Sequence, residues 1–79
     1  MELLNRIEIN QQVLKGKAVI KGTRLSVQYV LGLLANGADF DEILNEYTNL
    51  NKEDILACLM FASKMLNDQL FFTISQDAA

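Results

Sequence analysis

Three polar residues divide the middle of the chain into segments of helical length. Ser26, Asp39 and Asn51 are residue types that accept hydrogen bonds from the first backbone N–H groups of a helix, and an apolar run follows each of them. Asn36-Gly37 ends the first segment, because glycine tolerates the left-handed conformation in which helices terminate. This spacing predicts three helices joined by turns of about four residues.

The first two helices are each predicted to bury one face. The first begins at Val27, and its apolar stripe has near-helical spacing: Val27, Val30, Leu31, Leu33 and Leu34. Gly32 lies within this stripe and is expected to allow close backbone packing. In the second helix, Glu42 follows Asp39 by three residues, which is typical of a capping box. The predicted buried face of this helix consists of Phe40, Ile43, Leu44 and Tyr47.

The third helix is predicted to run for about fourteen residues after Asn51. Its middle, ILACLMFA, is apolar on nearly every side, which favours a helix that is central or shared between subunits. Cys58 lies there and is predicted to be a buried small hydrophobe. The next segment contains LFFTI, whose high β-propensity predicts a stretch that the fold, a second copy or a partner must cover.

The first 25 residues are predicted to form a short β and turn element. Ile7 and Ile9 alternate with polar residues, and Ala18 to Ile20 is a second strand candidate. Two short strands are marginal in water, so they must pack on the helices or pair with another chain. The expected fold is therefore mainly α, a single-domain trihelical helix-turn-helix bundle with a short N-terminal β element. Its parts are the front (1–25), the body (26–66) and a C-terminal tail or interface segment (67–79).

Charge is unevenly distributed along the chain, whose net charge is −3. Residues 1–30 hold five bases and two acids, a net charge of +3, whereas residues 31–79 hold two bases and eight acids, a net charge of −6. The asymmetry indicates that the N-terminal front contacts an anionic partner. The alternative is that the charges of a small protein are distributed unevenly by chance. The basic stretch GKAVIKGTRLSV, residues 16–27, contains no acid.

The basic stretch supplies the first candidate binding residues. Lys17, Lys21 and Arg24, together with the preceding Lys15, are predicted to contact a DNA backbone. In the alternative interpretation the lysines are merely solvated, and Arg24 pairs with a helix acid such as Asp39 or Glu42.

The third helix supplies two further candidates for DNA contact. A helix-turn-helix protein presents the first turn of this helix to the major groove. Asn51 and Lys52 are placed to contact bases or phosphates there, whereas the neighbouring Glu53 and Asp54 would be repelled by DNA.

Catalysis is not expected from this sequence. The chain contains no His, so neither a catalytic triad nor a zinc-binding pattern can be placed, and no cofactor or metal is expected. Lys21 precedes Gly22 and Thr23, which is the wrong order for a phosphate-binding loop. The single cysteine and the lack of a signal peptide favour the cytoplasm, and the longest apolar run is too short to cross a membrane.

The segment GKAVIKGTRLSV, with the following YVLGLLANGADFDEILNEYTNLNKEDILACLMFA, resembles a bacterial family, domain-of-unknown-function family 433. This uncharacterised family is described as similar to VapB-type antitoxins. The resemblance spans Arg6 to Ala62, with Ala18 and Thr48 at positions where the family frequently has proline. It implies a homeodomain-like helix-turn-helix fold and a homodimer.

The resemblance also implies a function, the antitoxin of a type II toxin–antitoxin module. Such a protein binds a PIN-like nuclease toxin and binds operator DNA for autorepression. The residues predicted for the toxin or dimer interface are Met60, Leu70, Phe71, Phe72 and Ile74. The alternative is a dimeric helix-turn-helix-shaped interaction module that does not bind DNA, which the net acidity favours.

Overall fold

The computed structural model describes residues 3–12 and 14–78, and it describes side chains as far as residue 67. The elements are two strands, β1 (Ile7–Ile9) and β2 (Ala18–Ile20), and three helices, α1 (Val27–Ala35), α2 (Phe40–Glu46) and α3 (Lys52–Ala78). Short 3-10 turns precede each strand, at Leu3–Arg6 and Leu14–Gly16. The predicted fold class, mainly helical with a short N-terminal β element, is confirmed.

The two strands form an antiparallel pair that packs on the helices. Ile7 lies opposite Ile20, and the Lys21 N–H donates to the Arg6 carbonyl at 2.8 Å just beyond the pair. Val19 and Ile20 are almost fully buried. Burial against α1 and α3 therefore supplies the stability that two isolated strands would lack.

Side-chain caps fix the starts of the helices as predicted. The Ser26 hydroxyl accepts from the Tyr29 N–H at 3.0 Å and begins α1. At α2, Asp39 accepts from the Glu42 N–H at 2.8 Å, and the Glu42 carboxylate accepts from the Asp39 N–H at 2.9 Å. Gly37 follows α1 with a φ of 100°, so the predicted left-handed residue at this helix end is confirmed.

The core lies where β2 and the three helices meet. Its buried members are Ile20, Val27, Val30, Ile43, Leu50, Ile55 and Cys58. The remaining predicted face of α2, with Phe40, Leu44 and Tyr47, packs against this cluster. Burial, followed by the nearby Asp54 carboxylate, raises the pKa of the Cys58 thiol to about 11, so the thiol stays protonated at neutral pH. This agrees with the prediction of a buried small hydrophobe.

Two sequence-based expectations about the helices are wrong. The third helix does not end near residue 66, because α3 continues to Ala78 and includes the LFFTI segment. No glycine or proline follows residue 37, so no residue of these helix-terminating types interrupts the hydrogen-bonded backbone of α3. The absence of a stop signal outweighs the β-propensity of the LFFTI segment. Gly32 does not mediate close packing, since a Cβ placed on it would meet no atom within 4 Å.

Candidate functional site

A cleft with a volume of about 590 Å³ opens between the β front, the start of α1 and the end of α2. It is called the basic cleft here, and its lining residues are Leu14, Lys15, Lys17, Arg24, Leu25, Ser26, Tyr29 and Tyr47. Three of them are cationic, and among the described residues that line the cleft there is no carboxylate. The basic cleft therefore favours an anionic ligand.

A left-handed turn places two of the lysines at the basic cleft. Leu14 and Lys15 have φ values of 50° and 56°, which residues other than glycine rarely adopt, and Gly16 follows at 84°. The Lys17 N–H donates to the Leu14 carbonyl at 3.2 Å and closes the turn. Left-handed residues of this kind cost on the order of 1 kcal/mol each and are found preferentially at functional sites.

Arg24 reaches the basic cleft through a second turn. The Thr23 hydroxyl donates to the Ile20 carbonyl at 2.7 Å and accepts from the Leu25 N–H at 3.0 Å. These bonds fix the chain between the end of β2 and the Ser26 cap of α1. Arg24 is exposed and lies two residues before that cap, beside the positive end of the α1 dipole.

Arg24 does not form the alternative ion pair with Asp39 or Glu42. Those two carboxylates cap α2 by accepting from each other's backbone N–H groups. Across the part of the chain whose side chains are described, the ion pair found is Arg6 with Asp54, at 3.1 Å. The charge of Arg24 thus remains available to a ligand.

A pair of tyrosines, Tyr29 and Tyr47, forms part of the lining of the basic cleft. Their hydroxyl oxygens are 2.7 Å apart, and their rings meet edge to face with centroids 6.2 Å apart. The hydrogen bond to Tyr29, then desolvation and then the charges of Tyr29 and Glu46, raise the pKa of Tyr47 to about 12. The Tyr47 hydroxyl is therefore protonated throughout the physiological pH range.

Sequence reasoning missed this pair as functional residues, and it treated Tyr47 as part of the buried face of α2. A partial signal was present, because Tyr29 falls outside the apolar stripe of α1 and carries a polar tip. The pairing itself depends on how α1 and α2 pack, which local sequence patterns do not give.

Two of the other predicted DNA-binding residues, Asn51 and Lys52, lie at the start of α3, and the third, Lys21, follows β2. The Asn51 side chain accepts from the Asp54 N–H at 3.2 Å, and Asp54 accepts from the Asn51 N–H at 3.0 Å, which is a capping box. The Arg6 guanidinium donates to both of these side chains, and the Arg6 carbonyl accepts from the Lys21 N–H. Lys21 and Lys52 are exposed near this network, outside the lining of the basic cleft.

The structure thus divides the five predicted DNA contacts into two groups. Lys17 and Arg24 line the basic cleft together with Lys15. Lys21, Asn51 and Lys52 lie near the Arg6–Asp54 ion pair.

The predicted toxin or dimer interface is described in part. Met60 is half-buried on α3. Leu70, Phe71, Phe72 and Ile74 lie on α3 beyond the side chains that the structure describes, so their interface role stays a prediction. Phe61 and Met65 border two apolar grooves of about 400 Å³ each, one against α1 and one against β1. None of the helices described is both long and apolar enough to cross a membrane.

The chain is thus a small, mainly helical protein with three helices, a two-stranded antiparallel sheet at its N-terminus and a cationic cleft beside that sheet. Residues 7–62 match the family model of DUF433, whose members are described as proteins of unknown function. Because the match covers more than half of the chain, the protein belongs to DUF433. The family resemblance in the sequence is therefore confirmed.

A solved structure supports the same assignment. The chain is similar to a DUF433 member protein from Anabaena variabilis ATCC 29413, whose crystal structure was determined at 2.00 Å resolution. The TM-score is 0.72 at 27% sequence identity, and the alignment covers 99% of this chain and 73% of that chain. Comparison with functionally curated proteins gives no significant match.

Proposed function

We propose that this protein is a non-enzymatic, antitoxin-type regulator whose basic cleft binds the phosphate backbone of duplex DNA. The observation that carries the proposal is the convergence of Lys15, Lys17 and Arg24 on one cleft whose described lining contains no carboxylate. Neutralisation of phosphates by lysine and arginine supplies nearly all non-specific affinity for DNA and a large share of specific affinity. A locally cationic surface can therefore bind DNA although the chain as a whole is acidic.

The position of the basic cleft suits the way helix-turn-helix proteins dock. Tyr47 lies at the C-terminal end of α2 and lines the cleft, and the turn that follows it leads to Asn51 and α3. In such proteins the helix before the turn crosses the DNA backbone, while the helix after it enters the major groove. A phosphate-binding cleft beside this turn would fix the position of α3 on the duplex.

The network at the start of α3 reduces the repulsion that the sequence suggests. Arg6 pairs with Asp54 at 3.1 Å and compensates its charge.

Lys21 follows Lys17 by four residues through β2, a distance of about 13 Å in an extended chain. Phosphates of one DNA strand advance by about 3.4 Å each along the helix axis, so these two lysines would contact different phosphates.

A binding experiment with charge reversal tests the DNA-binding part. We expect Arg24→Glu to weaken the binding of a fluorescent duplex from upstream of the gene by about tenfold or more, because it removes one phosphate contact and adds repulsion. Fluorescence anisotropy over a series of salt concentrations measures this effect. Lys64→Glu is the matched control, since it makes the same charge change at an exposed α3 position outside the basic cleft. Equal losses for the two variants would contradict the proposal.

The antitoxin part rests on the role that the family resemblance of the sequence implies, and on the apolar surface of α3. Leu59, Met65 and Leu66 are 40%, 43% and 54% exposed. We expect a PIN-like nuclease encoded by an adjacent reading frame to co-purify with this protein, and deletion of residues 70–74 to release it. Unchanged co-purification after the deletion would remove this segment from toxin binding.

A second candidate function, a dimeric interaction module without DNA binding, is favoured by the two apolar grooves that share Phe61 and Met65. Exposed apolar surface of this kind is typical of protein interfaces. The same anisotropy experiment separates the candidates. If the wild-type protein binds no duplex even at low salt, the interaction module is favoured and the DNA-binding proposal fails.

A further inference from the structure

The two tyrosines of the basic cleft have one hydroxyl proton more than their mutual hydrogen bond uses. Each phenol carries a single O–H donor, and one of the two protons occupies the 2.7 Å contact between the oxygens. The second proton has no partner in that contact. The pair therefore offers one O–H donor to whatever occupies the cleft.

Tyr29 is better placed to offer this donor to a ligand, because it is 47% exposed whereas Tyr47 is half-buried. In that arrangement the Tyr47 hydroxyl donates to the Tyr29 oxygen. A hydroxyl that accepts a hydrogen bond becomes a stronger donor, so Tyr47 would both orient and polarise the Tyr29 hydroxyl.

The rest of the cleft determines which anion fits. Lys15, Lys17 and Arg24 provide three cations, which suits a group with several charged oxygens better than a single carboxylate. Leu14 and Leu25 add apolar walls, and the volume of about 590 Å³ exceeds the needs of a bare anion. A phosphate attached to a sugar matches both the polar and the apolar parts of the lining.

We propose that the Tyr29–Tyr47 pair and the three cations form a subsite for one sugar-linked phosphate, in which the Tyr29 hydroxyl donates to a phosphate oxygen. The subsite rests on the proposed DNA-binding function and extends it by assigning an uncharged, directional contact beside the cations. The phosphate belongs to a DNA backbone under that function, and a free nucleoside monophosphate is the other source of the same chemistry.

Salt dependence separates the tyrosine contact from the cationic contacts. We expect Tyr29→Phe to weaken duplex binding about fivefold, the loss of one hydrogen bond, while leaving the slope of log affinity against log salt unchanged. Lys17→Gln should make that slope shallower by about one phosphate contact. Tyr47→Phe retains the donor but removes its orienting partner, so its effect should be smaller, about twofold.

A second measurement does not depend on the variants folding. The chain has two tyrosines, so isotope-labelled tyrosine gives NMR signals from this pair alone. Titration of the wild-type protein with duplex DNA should shift the Tyr29 signal. Titration with thymidine 5′-monophosphate, with inorganic phosphate in parallel, tests whether a free nucleotide binds the same subsite.

The outcomes for the subsite and for the function are distinct. Duplex binding with no Tyr29 shift and no effect of Tyr29→Phe would overturn the subsite and leave the DNA-binding function intact. A Tyr29 shift with thymidine 5′-monophosphate but no duplex binding at low salt would support the subsite and overturn the function. Neither ligand binding would overturn both.

Discussion

Ile55→Ala is expected to lower the free energy of unfolding by about 3 kcal/mol, because it opens a cavity at a fully buried position of α3. Ile55 belongs to the cluster in which Ile20 from β2, Val30 from α1 and Ile43 from α2 meet. Neighbours fixed on separate elements cannot all move in to fill the space. Domains of this length have a total stability on the order of 4–12 kcal/mol, so the loss is a large part of it.

Urea denaturation followed by circular dichroism measures this loss. Leu59→Ala is the matched control, because it removes the same number of carbon atoms from the same helix at a position that is 40% exposed. The control should cost less than about 1 kcal/mol, as surface substitutions generally do. Similar losses at the two positions would mean that Ile55 does not occupy the centre of the core.

Asp54→Ala is expected to cost about 2 kcal/mol, because a single carboxylate has two structural roles. One oxygen accepts from the Arg6 guanidinium at 3.1 Å, and the other accepts from the Asn51 N–H at 3.0 Å. The substitution leaves Arg6 without its ion-pair partner and removes half of the α3 capping box. Since Asp54 is nearly buried, water replaces these bonds poorly.

Asp41→Ala is the control for Asp54→Ala. Asp41 is also an acid in the first turn of a helix, but it is exposed, so its loss should change stability by less than about 0.5 kcal/mol. A double-mutant cycle with Arg6→Met then measures the ion pair separately from the cap. A coupling energy near zero would show that the cap alone accounts for the cost.

The helix starts could be predicted from the sequence because they depend on local chemistry. Ser26, Asp39 and Asn51 each accept from a backbone N–H three residues ahead, and no distant part of the chain is needed for these bonds. The strand positions were also predicted well, since apolar alternation and glycine turns are local signals. The length of α3 was not, because a helix without glycine or proline carries no local stop signal.

The candidate site could be predicted less completely than the fold. Its cations were evident as a basic stretch without acids. The left-handed conformation of Leu14 and Lys15 was not, because neither residue type favours it. The tyrosine contact joins residues 18 positions apart and depends on helix packing. The Arg6–Asp54 pair, 48 positions apart, likewise appears only when the β front is placed against α3.

The basic cleft is assembled from distant parts of the chain, from Leu14 before β2 to Tyr47 after α2. An unfolded chain therefore presents no such cleft, and a ligand that occupies it binds the native state alone. Binding of this kind adds about 1.4 kcal/mol of stability for each tenfold excess of free ligand concentration over its dissociation constant. Occupancy of the cleft would thus lower the fraction of molecules that are unfolded, and with it the rate at which proteases degrade the chain.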